Sequence, residues 1–400
     1  MRRPLIATVL ALSLAPAARA QEVTEEEFLS TLDESHVAVR SLTGDVARAE
    51  GERVRARTLA NPRLDFWREE PEDNPQVTNW TLAWTPPLDG RYGLRKKAAE
   101  AGLAAAREHF EADRAALRRD FRKAFAEWSL AFERRATLRQ QLDLVAGLAE
   151  HERQRARVGE GSGLTARRFS LAEGDVRAEF GSADAEYARA EAAARALRQD
   201  LNAETRPAPV ALPEPPASLD SDGAPQLSAL KQEKEQAGYE ARRVGRFLGF
   251  PTLQLGWQTI EDRGVSESGP IVAAGWTVPL FDRDQGARLE AERRRDVAAA
   301  RLTFAQARLA GEVEGGLKAY RVLFASARDA RDTAGETEKV IDAATAAFRA
   351  GEAGLTDLLD VLRSAFVARL RAIDSRAQAL EAHRNLEAVL GQPLKAGGDR

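Results

Sequence analysis

An internal duplication constrains the fold of this chain more than any other feature. The segment WTPPL at 84–88 returns as WTVPL at 276–280, a shift of 192 residues. The same shift carries one helical stripe of large apolar residues onto another: Phe110, Leu117, Phe121, Phe125, Trp128 and Phe132 onto Leu302, Leu309, Val313, Leu317, Tyr320 and Phe324. Repeated units bury their apolar faces against one another. We therefore expect two copies of one unit, each with the order helix, two strands, long helix, turn, long helix.

The duplication predicts how the chain is divided. Residues 1–20 start with Arg2 and Arg3, continue with a short apolar run and end in Ala-Arg-Ala, which is the pattern of a secretory signal peptide. The first repeat is predicted at 21–205, with strands at about 61–86 and a long helical hairpin at about 95–202. The remaining segments are a Pro-rich linker at 206–225, a second repeat at 226–391 with strands at about 250–280 and a helical hairpin at about 287–391, and a C-terminal tail at 392–400.

The long helices are predicted to pack as coiled coils. Residues 99–148 lack proline and are rich in alanine, arginine and glutamate, which favour helix. Apolar residues recur alternately four and three positions apart from Val176 to Leu201 and from Phe366 to Leu380, the 3.5-residue period of coiled coils. The predicted fold class is therefore mainly α, with duplicated long helical hairpins.

Four segments have the period of strands instead. They alternate apolar and polar residues, and each pair is joined by a polar turn, predicted at Glu69 to Gln76 and at Glu261 to Pro270. We predict that one face of these strands contacts lipid, through Trp80, Leu82, Trp84, Leu253, Leu255 and Trp257. The other face would line a wet lumen, through Thr81, Thr85, Thr252, Gln254 and Gln258.

The strands predict a membrane β-barrel that is shared between copies of the chain. Two ordinary surface hairpins are the alternative, but an isolated hairpin is marginally stable in water. In lipid, unpaired strand edges cost several kcal/mol per group, so the sheet must close. Four strands are too few, since the smallest outer membrane barrels need about eight. Two copies would supply eight strands and a filled interior, whereas three supply twelve and an open lumen. We favour the homotrimer, with an α-helical barrel below the membrane.

Composition excludes several classes of function. Cysteine is absent, so the chain has no disulfides, thiol nucleophiles or lipidation site. The single methionine is Met1, and the four histidines are far apart, which disfavours metalloenzymes. A net charge of −3 predicts no nucleic-acid surface. No phosphate-binding loop or catalytic triad is recognisable. We expect no catalytic residues, no cofactor and no dedicated metal site.

Several phrases resemble the TolC-like outer membrane efflux proteins, over essentially the whole mature chain. FPTL at 250–253 opens a strand, VPLFDRDQG at 278–286 closes one and enters a helix, and GEAGLTDLLD at 351–360 resembles the family's helix-turn tip. PLFDRDQG is most similar to the CzcC-like branch, which serves heavy-metal RND efflux. The resemblance implies a homotrimeric outer membrane channel that crosses the periplasm, docks a periplasmic adaptor (membrane fusion) protein and an inner-membrane RND pump, and passively conducts the exported substrate.

The resemblance also implies a periplasmic end that carries adaptor contacts and a gate. The adaptor-docking tips would comprise Arg157, Gly159, Gly163, Leu164 and Thr165 in one turn and Gly351, Gly354, Leu355 and Thr356 in the other. Asp357 and Asp360 lie where some members have a ring of aspartates. They are three residues apart on one helical face, so three copies would form a cation-attracting ring. Matching the two turns by sequence places Ala166 and Phe169 at the equivalent positions of the first repeat. The alternative is that both aspartates stabilise the first helical turn through the helix dipole.

Two other functions are compatible with parts of this pattern. The same fold could serve multidrug efflux or type I secretion, since only PLFDRDQG favours metals. A periplasmic coiled-coil scaffolding protein would explain the helices and the signal peptide. It leaves the four amphipathic strands unexplained.

Overall fold

The computed structural model describes residues 22–72, 75–202, 204–244, 251–278 and 280–394. The predicted signal peptide, Phe250, Pro279 and the tail beyond 394 lie outside these residues.

The prediction of a mainly α fold with four long strands is confirmed. In chain order the elements are β1 (Glu22–Val23), α1 (Glu25–Leu29), α2 (Val37–Ser41), α3 (Gly44–Arg57), β2 (Arg63–Glu69), β3 (Gln76–Trp84), α4 (Arg91–Arg157), α5 (Gly163–Leu197), β4 (Arg206–Pro207), α6 (Pro225–Val244), β5 (Thr252–Asp262), β6 (Val265–Gly275), α7 (Gln285–Gly335), α8 (Thr337–Ala350) and α9 (Leu355–Leu390).

The chain divides into two compact units, and each unit draws on both repeats. Of the described residues, the turn unit comprises those within 22–31, 121–211 and 330–377, and it contains both turns that join long helices. The sheet unit comprises the described residues within 32–120, 212–329 and 378–394, and it contains the four long strands. The repeats are therefore not separate compact bodies, because helices of one repeat bury apolar residues against helices of the other.

The four long strands form one antiparallel sheet in the order β2-β3-β5-β6. β3 and β5 join the two repeats, with Trp80 opposite Trp257 and Leu82 opposite Leu255. Gly256 of β5 pairs with Thr81 of β3. A Cβ atom at Gly256 would stand 2.3 Å from the carbonyl oxygen of Trp80, so only glycine fits this strand position without a shift of the backbone.

The connection between β5 and β6 is shorter than the predicted polar turn from Glu261 to Pro270. β6 begins at Val265, and only Arg263 and Gly264 separate the two strands. Both have positive φ, 46° and 85°, as a two-residue type I′ hairpin turn requires. The prediction was wrong because the polar residues after Gly264 continue the strand rather than leave it.

The second helical hairpin has an interrupted first arm, whereas the first hairpin does not. α4 continues for 67 residues, but α7 ends at Gly335 and α8 starts at Thr337. Glycine weakens a helix interior by about 1 kcal/mol relative to alanine. The Thr337 hydroxyl also donates a hydrogen bond to the carbonyl of Ala334 at 2.6 Å, which competes with the helical pattern.

The core of the turn unit combines helices from both repeats. Val145 and Leu148 come from α4, Phe169 comes from α5, and Ile341 and Leu362 come from α8 and α9; all five are buried. Because these side chains share one cluster, the two turns belong to a single packed body. None of the described helices combines the length and the apolar character needed to cross a bilayer.

The proline-rich linker packs against α7 within the sheet unit. The buried Tyr320 hydroxyl donates a hydrogen bond to the carbonyl of Pro213, and burial raises the pKa of that hydroxyl. Arg321 donates to the carbonyls of Pro216 at 3.0 Å and Ala217 at 2.6 Å. Proline cannot donate a backbone hydrogen bond, so these side chains fix the linker through its carbonyl oxygens.

Candidate functional site

Both long-helix turns use the same backbone reversal. After α4, Gly159 has a φ of 80° and the Glu160 amide donates to the carbonyl of Arg155 at 2.9 Å. After α8, Gly351 has a φ of 77° and the Glu352 amide donates to the carbonyl of Ala347 at 2.9 Å. A left-handed glycine with this six-residue hydrogen bond is the Schellman ending of a helix.

The residues predicted to form the two tips lie in or beside these turns. In the first turn, α4 ends at Arg157 and α5 starts at Gly163, followed by Leu164 and Thr165. In the second turn, Gly351 and Gly354 lie between α8 and α9, and α9 starts with Leu355 and Thr356. Leu164 is 64% exposed, so an apolar side chain is available at the first turn.

The buried side of each turn is apolar, and the two turns share an aromatic contact. The rings of Phe169 and Phe348 meet edge to face with centroids 5.8 Å apart. Leu358 of α9, the residue after Asp357, is completely buried. Because Leu358 packs in the core, the charged residues Asp357 and Asp360 lie on the exposed side of α9.

The two predicted gate aspartates differ in their surroundings. Both lie on the exposed side of α9. Asp357 Oδ2 accepts a hydrogen bond from the Gly354 amide at 3.2 Å, so Asp357 also stabilises the start of the helix. Asp360 makes no hydrogen bond or ion pair with any described residue. The helix-start alternative therefore explains Asp357 and leaves Asp360 without a structural role.

The structure changes the match between the two turns. α5 and α9 start 192 residues apart, and Ala166 and Leu358 are both buried at the same distance from their helix starts. The positions equivalent to Asp357 and Asp360 are therefore Thr165 and Arg168, not Ala166 and Phe169. The match made from sequence was off by one residue, because it aligned the Gly-Leu-Thr triplets at 163–165 and 354–356. The buried residues instead align Ala166 with Leu358.

The first turn carries basic charge near the second turn. Nη1 of Arg168 lies 3.5 Å from the Thr356 hydroxyl, next to Asp357 in sequence. Deeper in the first hairpin, Arg153 joins α4 to α5: it donates to Glu150 at 2.8 Å and also binds Glu173. The hydrogen bond from Arg153 lowers the pKa of the Glu150 carboxyl. The first turn is thus held by ion pairs, and the second presents free carboxylate.

In the sheet unit, the residues predicted to contact lipid share one exposed face. Paired rows place Leu64, Leu82, Leu255 and Val272 side by side. Trp80 and Trp257 are 49% and 52% exposed. The predicted lumen residues lie on the opposite face, where the hydroxyls of Thr85 and Thr252 hydrogen-bond at 2.7 Å.

Known proteins are similar to this chain in sequence and in architecture. Residues 221–392 match the family model described as outer membrane efflux protein. This part of the chain is similar to outer membrane efflux proteins. The chain is 26% identical over 397 residues to the cobalt-zinc-cadmium resistance protein CzcC of Cupriavidus metallidurans, and the match covers 94% of this chain and 92% of that protein.

Solved outer membrane channels have the same fold as this chain. It superposes on the outer membrane protein VceC of Vibrio cholerae with a TM-score of 0.73 at 14% identity, covering 93% of this chain and 97% of VceC. It superposes on CusC with a TM-score of 0.73 at 16% identity, covering 97% and 96%. The predicted resemblance to TolC-like efflux channels is confirmed, and the family consists of channels rather than enzymes.

Within the part of the chain that the structure describes, no group of three or more acidic or histidine side chains could hold a metal ion. One feature of the site was missed from sequence. A groove of about 440 Å³ lies between the α7–α8 junction and α9, with Asp360 on its wall. The signal was Gly335 followed by a helix-competing threonine, at a position where the first repeat continues without a break.

Proposed function

We propose that this chain is the outer membrane component of a tripartite RND-type efflux system. It assembles as a homotrimer, receives substrate from an inner-membrane RND pump through a periplasmic adaptor, and conducts it passively to the exterior. Residues 1–20 would direct export and be removed. The proposal is carried by one observation: an apolar, exposed face runs across a four-stranded sheet whose two outer edges, β2 and β6, pair with no other described strand.

The sheet supports membrane insertion because its apolar face would be costly in water. Exposed apolar surface costs about 25 cal/mol per Å² relative to burial. Leu64, Leu255 and Val272 are 64%, 60% and 78% exposed. Lipid covers such a face without a protein partner. A strand edge, in contrast, is tolerated in lipid only when its backbone groups pair with those of another strand. Copies of the chain would supply those strands, with β6 of one against β2 of the next.

The helical part supports the same assembly. On α7, Phe304 and Val322 are 68% and 69% exposed. Gly311 and Gly315 lie between them on the same side of the helix and face open space. The equivalent positions in α4 include Arg119 and Lys123, so this apolar side belongs to the second repeat alone. A neighbouring copy would cover it, since α7 follows the free strand β6.

The two turns would form the periplasmic end of the trimer. The adaptor would contact the tips at 157–165 and 351–356, where both turns expose small and apolar residues. Asp357 and Asp360 would narrow the pore there. With Arg168 nearby, each copy contributes two carboxylates and one guanidinium, so the ring keeps a net negative charge that attracts cations.

Heavy-metal cations are the proposed cargo. Support comes from the PLFDRDQG phrase and from the similarity over nearly the whole length to CzcC, a cobalt-zinc-cadmium resistance protein. The ions would pass through without a dedicated binding site.

Conductance in planar lipid bilayers tests the channel and its gate together. We expect purified protein to form pores that divalent cations block. Replacing Asp357→Ala and Asp360→Ala together should raise conductance and abolish that block. The matched control replaces two exposed carboxylates on α7, Asp332→Ala and Glu314→Ala, and should leave both properties unchanged. A protein that forms no pores contradicts the channel, whereas pores with unaltered block in the double variant contradict only the gate.

A further inference from the structure

The groove between the α7–α8 junction and α9 has the features of a ligand site. Its volume of about 440 Å³ lies in the range of small-molecule sites, about 300–1,000 Å³. Val340, Val361, Ala365 and Ala368 form its apolar floor and walls, and Glu336 and Asp360 stand at its rim. All of these residues belong to the turn unit.

The helix break opens this groove. α7 ends at Gly335, and the chain enters α8 at Thr337, opposite the small residues Ala365 and Ala368 of α9. Ile341, one residue beyond Val340, is buried in the core, yet Val340 remains 49% exposed. An apolar surface is therefore left open beside a sealed core, and its burial by a ligand would be favourable.

The charge at the rim is unbalanced. The Glu336 carboxylate is paired with Lys339 at 3.0 Å. Asp360 has no partner among the described residues. The nearby Arg369 is engaged elsewhere: Nε donates to the Thr337 hydroxyl at 2.7 Å, and the guanidinium lies over the Phe366 ring. One free carboxylate beside an apolar floor favours a ligand that combines positive charge with apolar surface.

We propose that this groove binds a monovalent organic cation with a bulky apolar body, and that the bound cation blocks the channel. The proposal rests on the proposed function, because Asp360 is also a gate residue there. A small inorganic ion can use only the carboxylates of the ring. An apolar cation uses Asp360 together with the surface of Val340 and Ala368, so it gains affinity that no hydrated metal ion can gain.

Two probes of equal charge separate these contributions. Tetraphenylphosphonium has four phenyl rings around its charge, whereas tetramethylammonium has almost no apolar surface. We expect tetraphenylphosphonium to block the wild-type pore at concentrations at least about tenfold lower than tetramethylammonium. Tenfold corresponds to about 1.4 kcal/mol, or roughly 55 Å² of additional apolar contact at about 25 cal/mol per Å².

Three variants locate the site. Ala368→Trp fills the groove and Val340→Ser removes apolar surface without filling it; each should abolish the preference for tetraphenylphosphonium and leave block by divalent cations intact. Ala346→Trp adds the same ring on the exposed side of α8, outside the groove, and should change neither. Equal block by the two probes in the wild type, or a preference that persists in both groove variants, would overturn the proposal.

Equilibrium dialysis of tetraphenylphosphonium against detergent-solubilised protein provides the second readout. Wild type and Ala346→Trp should retain the probe, and Ala368→Trp and Val340→Ser should retain at least about tenfold less. This measurement needs no pore, so failure of the proposed function and failure of the groove are distinguishable. If all four proteins bind the probe equally, the groove is not its site.

Discussion

The two turns of the long helices have the same backbone and opposite chemistry. Each reverses the chain with a left-handed glycine followed by glutamate, Gly159-Glu160 and Gly351-Glu352, 192 residues apart. After the first, α5 presents Arg168, and ion pairs centred on Arg153 hold the hairpin. After the second, α9 presents Asp360 without a partner beside an open groove. The duplication thus kept the turn and let the exposed side chains diverge.

This difference indicates where the protein can tolerate change. Residues that both turns need, the glycines and the apolar layer beneath, maintain the fold. Residues that only one turn has are available for function. Substitutions at each kind of position test the division.

The largest effect is expected beneath the turns. Phe169→Ala removes a completely buried ring that packs on Phe348, and such truncations cost about 3–5 kcal/mol. Asp360→Ala, on the exposed side, should stay within about 0.5 kcal/mol of wild type. Chemical denaturation in detergent, followed by circular dichroism, measures both. Equal losses in the two variants would break the comparison.

An intermediate effect is expected at the shared glycines. Alanine in the left-handed conformation costs about 1–2 kcal/mol, so Gly159→Ala and Gly351→Ala should each destabilise by that amount. Gly163→Ala is the control, because this glycine starts α5 and an added Cβ there meets open space. The same denaturation experiment applies. A large loss at only one of the two glycines would show that the turns are not equivalent.

The smallest effect is expected from the basic residue of the first turn. Arg168→Ala should raise cation selectivity about twofold, since a unit charge at about 8 Å contributes about 0.5 kcal/mol in water. Reversal potentials in a potassium chloride gradient measure this selectivity. Arg177→Ala, on α5 and ion-paired with Glu173, serves as the control. A fall in cation selectivity in Arg168→Ala would contradict the placement of Arg168 beside the aspartates.

Patterns with many repeated positions were predictable from sequence. The alternation around Trp80 and Trp257 identified the faces of β3 and β5, because strand period follows directly from the backbone. Features decided by a single residue were not. The turn at Arg263-Gly264 and the break at Gly335 depend on local φ values and on one hydroxyl, which leave no periodic signal. The alignment of the two turns could be fixed only from the buried residues, since a shift of one residue matches Asp360 with Phe169 instead of Arg168.

The anchoring of the linker by Tyr320 and Arg321 affects how the two repeats can be separated. Residues 213–217 pack against α7, so they belong structurally to the copy that follows them. The second repeat therefore needs residues 213–217 to provide the acceptor for the Tyr320 hydroxyl. If the two repeats are expressed as separate polypeptides, the chain should be divided before residue 213. A cut just before α6 would remove the Pro213 carbonyl that accepts from the buried Tyr320 hydroxyl.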